Sequence, residues 1–407
     1  MNTLRAPGQK SGQIELWFLT YLLLGIAVYG LSVILMPLIV AAAGHRPFRI
    51  GAVIALQNTG LLAAPGAGLW MDKFGRHRLV LMFGCLMIAL GFLGFSSVTS
   101  LNALLFSAFC IGLGTAAATT ATMVFTIEKR HPNEWSNRIG YVQLFNSVGT
   151  TIGLGIAGLL SLRVGTIAGL VAAVAAAGLA RFTLPAQAAV SASASPELST
   201  SPVMEAHRHI SGDLLRLLIG WFLLILGVSC FFSPYPIIMH HVFEVSTRSS
   251  SSVLSIATLV GLPLYAISGN MVHRLGSPVV LIFGTACRLA SLSALSLFAI
   301  LHIEKKGTAI LLLAVGVFQA CWPIISVSIN DRLLRTSPYG QGFAVGLLTF
   351  VGAAASAAGA LIGGVIAERA GYRGVIFAAA MIVFLAALQI SWGSIWLKTK
   401  DRSTSRG

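Results

Sequence analysis

Charge is what this chain has least of. Charged residues make up 10% of its 407 residues and apolar ones 56%, whereas a soluble domain carries about 25% charged residues. So little polar surface cannot clothe a core in water, and the composition calls for lipid. Acids are the scarcest charges: 12 Asp and Glu stand against 27 Lys and Arg, and none lies near the middle of an apolar run. Cysteine is sparse too. Cys85, Cys110, Cys230, Cys287 and Cys321 form an odd set, each inside an apolar run and none at metal-ligand spacing, so neither a disulfide framework nor a metal centre is indicated. The chain also lacks HExxH, GxSxG and P-loop patterns and any acidic pair within a span. An enzyme and a direct ATP-driven pump are therefore not expected, and no cofactor is implied. Short alternating segments, the mark of a membrane β-barrel, are absent as well.

Long apolar runs are what the chain has. Crossing a bilayer takes about 20 residues. Twelve runs suffice: 16–43, 50–71, 79–97, 104–127, 139–162, 165–184, 214–239, 253–272, 278–301, 308–330, 342–367 and 374–397. The first exceeds the need and is expected to tilt or protrude. It is also too long for a signal-peptide core, although Ala41-Ala42-Ala43 resembles a cleavage site. The net charge of +15 would suit nucleic acid, but lipid gives a better account of it, because cytoplasmic loops collect Lys and Arg. With the N-terminus inside, 18 of the 27 basic residues fall on the inner side and 8 on the outer, with Arg288 inside a span. Both termini are thus expected in the cytoplasm of a cell-membrane protein, and no nucleic-acid partner is implied.

One segment breaks the apolar pattern. Residues 185–213 are rich in Ala, Ser and Pro without apolar period, as in a flexible linker. They divide a six-helix N-terminal bundle (1–184) from a six-helix C-terminal bundle (214–397), followed by a short tail (398–407). The halves look like copies. Gly60, Leu61, Gly68 and Gly75 return 201 residues later as Gly261, Leu262, Gly269 and Gly276, and VLMFG at 80–84 returns as VLIFG at 280–284. Glu128-Lys129 has a counterpart in Asp331-Arg332. Internal repeats of this kind mark secondary transporters, whose sites lie between the repeats near the midplane.

The turn after the second run reads GLWMDKFGRHRL, Gly68 to Leu79. Six plus six helices, a polar central linker and this turn together resemble the major facilitator superfamily. Its motif there is Gly-x-x-x-Asp-Arg/Lys-x-Gly-Arg-x-Arg/Lys, matched by Gly68, Asp72, Lys73, Gly75, Arg76 and Arg78. The resemblance implies an all-α membrane protein with twelve transmembrane helices in two six-helix pseudo-repeats. It further implies that Asp72 and Arg76 belong to a conformational latch on the cytoplasmic side, with Glu128 as the acid that Arg76 engages. Gly68 would admit a close neighbouring helix and Gly75 a tight turn. In the second copy, GNMVHRLGS at 269–277 puts His273 where the acid stood and Ser277 where the arginine stood, so a second latch would be weakened.

By the same resemblance, helices 1, 4, 7 and 10 line a central cavity, with contributions from 2, 5, 8 and 11. Polar side chains in spans face protein or a cavity rather than lipid. Tyr29, Asn58, Gln143, Asn146, Tyr235, Gln319 and Trp322 are the candidate lining, alongside interhelical roles for the same groups. SPYP at 233–236 should bend its helix. The glycines of runs 5 and 11 should pack closely and slide. Arg288, ten residues into its span with no central acid to pair with, has three readings. It bonds backbone carbonyls or snorkels, it pairs with an acid near a helix end, or it attracts an anionic substrate.

These features lead to a secondary active transporter that moves a small organic solute by alternating access, with export favoured. The solute is expected to be neutral or amphiphilic, since no acid lies in a span, and a coupling proton is a candidate second partner. The chain is expected to act as a monomer. Two alternatives stand beside this: a transport-dead sensor or assembly subunit on the same fold, and an uptake permease for a small organic anion that uses Arg288.

Overall fold

The computed structural model describes residues 15–74, 76–127, 132–184, 212–301, 308–336 and 341–404, with side chains given except at 69, 72–74, 127, 132–137, 334, 341–345 and 393–404. Every regular element among the described residues is helical. Helix α1 is Phe18–Ala42. Helix α2 is Pro47–Gly60, continued through a tight turn at Leu61–Ala63 into Ala64–Phe74. Next come α3 (His77–Ser97), α4 (Leu101–Ile127), α5 (Pro132–Ala157) and α6 (Leu162–Thr183). Helix α7 is Gly212–Phe232, resuming as Tyr235–His241. Helices α8 (Thr247–Leu275) and α9 (Ser277–Leu301) follow. Helix α10 is Thr308–Ala320, resuming as Trp322–Thr336. The last stretch, Gln341–Thr404, breaks at Gly371 into α11 (341–370) and α12 (372–404).

Ten helices among the described residues are long and apolar enough to cross a membrane. One of them, Gly346–Trp392, holds both α11 and α12 on either side of the Gly371 break. Helix α5 falls short because it carries Gln143, Asn146, Ser147, Thr150 and Thr151. Helix α7 starts at Gly212, within the stretch read as linker, and α12 runs on to Thr404, past the expected end at 397. Residues 185–211 lie outside the described residues.

Local chemistry sets the ends and breaks. Pro47 opens α2, where its missing N–H costs nothing. Ser161 and Ser246 cap α6 and α8 by accepting from the backbone N–H of Val164 and Ser249, which satisfies donors that have no partner within the helix. Gly276 turns α8 into α9 at φ 83°, and Gly371 turns α11 into α12 at φ 73°, a backbone region that side chains with a Cβ rarely enter. The prolines of SPYP interrupt α7 between Phe232 and Tyr235, as the missing donors require. Helix α1 contains a wide π turn, Gly25–Leu31, which the sequence reading did not anticipate.

Small residues set the packing. Within the N-terminal half, α5 lies against α1: a Cβ built on Gly153 would sit 2.8 Å from Gly30 Cα and 3.0 Å from Ile26 Cα. Within the C-terminal half, α11 lies equally close to α7: a Cβ on Gly363 would sit 2.6 Å from the Cys230 carbonyl. The two halves thus repeat one contact, fifth helix on first, as a duplicated unit should.

Candidate transport pathway

The same two glycine-rich helices also join the halves. From α11, a Cβ on Gly364 would lie 3.0 Å from the Pro47 carbonyl and 3.2 Å from Gly51 Cα, both on α2. Just past the end of α5, a Cβ on Gly158 would lie 2.8 Å from Arg248 Cα at the start of α8. The Ser255 hydroxyl of α8 donates to the Thr151 carbonyl of α5 at 2.7 Å. Arg46 and Glu368 add an ion pair at 3.6 Å. All of these contacts lie toward one end of the bundle, where the turns α1–α2, α7–α8 and α11–α12 are. Toward the other end, where the motif turn lies, Gly66 of α2, Gly140 of α5, Gly269 of α8 and Gly346 of α11 have nothing among the described residues within 4 Å of a built Cβ. The same four helices touch at one end and face open space at the other.

The motif sits at that open end. Lys73, Asp72, Gly75 and Glu128 lie outside the residues whose side chains are described. Arg76 is exposed, and its carbonyl starts α3 by accepting from Leu79 and Val80 at 3.1 and 3.2 Å. Arg78 donates to the Leu184 carbonyl at 3.4 Å. For Gly68 the close-packing expectation needs correction. A Cβ there would meet only Thr120 Cγ2 at 3.8 Å, an ordinary contact, so no helix presses on it in this state.

The polar candidates of the N-terminal half gather in part. Tyr29 rides on the π turn and is 36% exposed; such turns often mark functional sites. Asn146 of α5 packs over Gly25 at the start of that turn, with its Oδ1 3.1 Å from where a Cβ would be. That oxygen is buried and has no hydrogen-bond partner, an arrangement uncommon enough to need a reason such as a water or a ligand. Gln143, one turn before Asn146, is half-buried. Asn58 stands apart on α2, where its amide donates to the Ile54 carbonyl at 2.9 Å.

In the C-terminal half, Tyr235 must be removed from the lining. It is fully buried, its hydroxyl donates to the Ser250 carbonyl at 3.0 Å, and Phe231 and Phe232 pack on its ring. The break at SPYP turns it into the core, where its hydroxyl ties α7 to α8. Trp322 and Gln319 on α10 are half-buried and do meet neighbours from other helices. Gln319 reaches the Thr258 hydroxyl of α8 at 3.4 Å. The Trp322 ring lies 6.1 Å from the Trp221 ring of α7. Trp221 in turn donates to the Leu348 carbonyl of α11 at 3.2 Å. Side chains of α7, α8 and α10, with the backbone of α11, thus converge on one aromatic wall.

Arg288 stands behind that wall and is 2% exposed. Its Nε and Nη2 both donate to the Phe318 carbonyl, at 3.3 and 3.0 Å. That carbonyl lies beside the α10 break, where Pro323 has no N–H to give. The guanidinium also lies 4.6 Å from the Phe318 ring centre and 5.6 Å from that of Trp322, within cation–π range. Of the three readings of Arg288, the geometry selects the bond to a backbone carbonyl.

Sequence reasoning missed one pair. Arg138 of α5 grips Glu15 with two hydrogen bonds, 2.8 and 3.2 Å, and donates a third to the Thr126 carbonyl of α4 at 3.0 Å. The Trp17 indole also donates to Glu15, at 2.6 Å. The cluster ties α1, α4 and α5 at the motif end. The one available signal was an acid immediately before the first apolar run. In the other half, Arg332 of α10 and Asp213 of α7 share a small recess with Arg216 and Gln389, again at the motif end.

Known proteins share this architecture. A family model described as Major Facilitator Superfamily matches residues 17–340. A curated relative, Multidrug resistance protein 2 of Bacillus subtilis (strain 168), is 21% identical over 348 residues, covering 84% of this chain and 85% of that protein. The crystal structure of nucleoside transporter NupG aligns with a TM-score of 0.72 at 14% identity, over 93% of this chain and 97% of that one. A bacterial homologue of the iron transporter ferroportin, in an inward-facing state, aligns at 0.70 with 15% identity, over 94% and 100%. With the family model spanning most of the length and the fold shared over nearly the whole chain, the chain belongs to the Major Facilitator Superfamily and is a multi-pass membrane transporter rather than an enzyme.

Proposed function

We propose that the protein is a secondary active transporter that exports a small organic solute across the cell membrane by alternating access. The observation that carries the reading is the asymmetry of the four helices α2, α5, α8 and α11. They press together at backbone distance at one end, while Gly66, Gly140, Gly269 and Gly346 face open space at the other. Two rigid halves that rock about a central site would exchange these conditions. In this reading twelve helices cross the membrane in two six-helix units joined by the 185–213 segment, and both termini are cytoplasmic. The state seen is then open to the cytoplasm. Asp72, Lys73, Gly75 and Arg76, with Glu128, form the latch that holds the cytoplasmic end shut in the opposite state. The solute is taken between the Tyr29–Asn146 surface and the aromatic wall of Trp322 and Gln319.

Export is favoured over import by the likeness to a relative named for multidrug resistance. Direct capture of an organic anion by Arg288 is disfavoured, since that side chain is spent on Phe318 and is 2% exposed. Accumulation of a panel of neutral and amphiphilic aromatic dyes, measured in cells with the protein, with Asp72→Asn and with neither, tests the reading. Lower accumulation of at least one dye with the wild-type protein, restored by Asp72→Asn, is expected. Higher accumulation would mean import. No difference for any dye would leave the sensor reading in its place.

A further inference from the structure

We propose that Arg288 is a charge filter: held behind the Phe318–Trp322 wall, it admits neutral and anionic aromatic solutes to that wall and turns cations away. The inference rests on the reading above that the wall meets the solute, and it names the solute's charge class.

The positive charge is fixed in place. Two of its nitrogens are committed to the Phe318 carbonyl, and Nη1 is buried without a partner. Among the described residues Arg288 forms no ion pair, and in the sequence no acid lies near the middle of an apolar run. At 2% exposure, solvent does little to screen it. The charge sits 5.6 Å from the Trp322 ring centre and draws on the electron density that makes an aromatic face attractive to a cation.

A planar ring stacked on Trp322 from the solute side would lie up to roughly 10–12 Å from the guanidinium, given ring-centroid separations of about 4.5–7 Å. At the effective dielectric of a protein site, a unit charge at that distance shifts affinity on the order of tenfold, against a cation and in favour of an anion. The wall around Trp322 reinforces the choice of class. Trp221 backs Trp322 with a second apolar ring, and Gln319 adds a neutral amide. No described side chain of the wall offers an acid to a cation. Arg288 thus acts through Trp322 and Phe318, as a positioning residue for selectivity.

The test uses the full-length protein in detergent and three matched probes: 2-naphthoate, 2-naphthylmethanol and 2-naphthylmethylammonium. Dissociation constants come from calorimetric titration, with thermal unfolding as a second readout. The alcohol and the carboxylate should bind, and the ammonium should bind at least tenfold more weakly than the alcohol. Arg288→Gln should bring the ammonium to within about threefold of the alcohol, Arg288→Lys should keep the preference, and Trp322→Leu should weaken all three alike. If Arg288→Gln does not fold, the wild-type ratio and Trp322→Leu decide the matter. Equal binding of ammonium and alcohol to the wild-type protein overturns the filter, as does a preference that persists in folded Arg288→Gln. Binding of none of the three also overturns it, because the wall is then no aromatic site. The export reading is judged separately by dye accumulation in cells.

Discussion

Two arginines hold this molecule together in different ways. Arg138 makes a two-pronged pair with Glu15 and a third bond to the Thr126 carbonyl, with the arginine side chain 12% and the glutamate 30% exposed. Bonds of this kind to charged groups contribute about 1.5–3 kcal/mol. Arg138→Ala should therefore lower unfolding stability in detergent by about that much, and a double-mutant cycle with Glu15→Gln should show that most of the loss is shared. An additive cycle would mean the pair contributes little. Arg288 instead satisfies a carbonyl beside a proline-containing break. Arg288→Leu leaves that carbonyl bare in the core, at a cost of about 1–3 kcal/mol, whereas Arg288→Lys should recover part of the loss; thermal unfolding of the three proteins measures both. The presence of Arg288 within a span was plain from the sequence. Its partner was not, because a backbone carbonyl leaves no mark in side-chain identity. Tyr235 shows the converse: its polar hydroxyl suggested a lining residue, but the break at SPYP rotates it into the core to bond Ser250.

At the scale of the helix, the glycine-rich α5 and α11 do most of the positioning. Each meets the first helix of its own half and one helix of the other half at backbone distance. Bulk added at the tight end should pry it open, and bulk added at the open end should block its closure. Gly364→Leu is expected to weaken the contact with α2 and lengthen the distance between spin labels at Arg49 and Arg369. Gly346→Trp, by contrast, should fold normally, because nothing lies within 4 Å, yet abolish transport. Normal transport by Gly346→Trp would show that the open end never closes. The helices themselves were legible from apolar run length and composition. Close packing of the glycine helices was legible too, but not which glycines serve which neighbour. The π turn of α1 was not visible, since Gly25–Leu31 reads as ordinary apolar helix, and Asn146 and Gly149 of α5 pack on its first residue, Gly25.

For the whole molecule, the duplicated halves matter more than any one residue. Each half is stitched internally by small residues, and the two meet along two helix pairs related by the same internal repeat. In the proposed cycle such a body closes at one end or the other, and the glycine helices are in contact at the end away from the motif. Paired spin labels on a variant without the native cysteines give the most direct test. One pair would sit at Gly140 and Gly269 on the open end, the other at Arg49 and Arg369 on the closed end. On adding a transported dye, the account predicts reciprocal shifts, with the first distance population shortening as the second lengthens. Distances that stay fixed at both ends, or that change in the same direction, would contradict alternating access as the way this protein works.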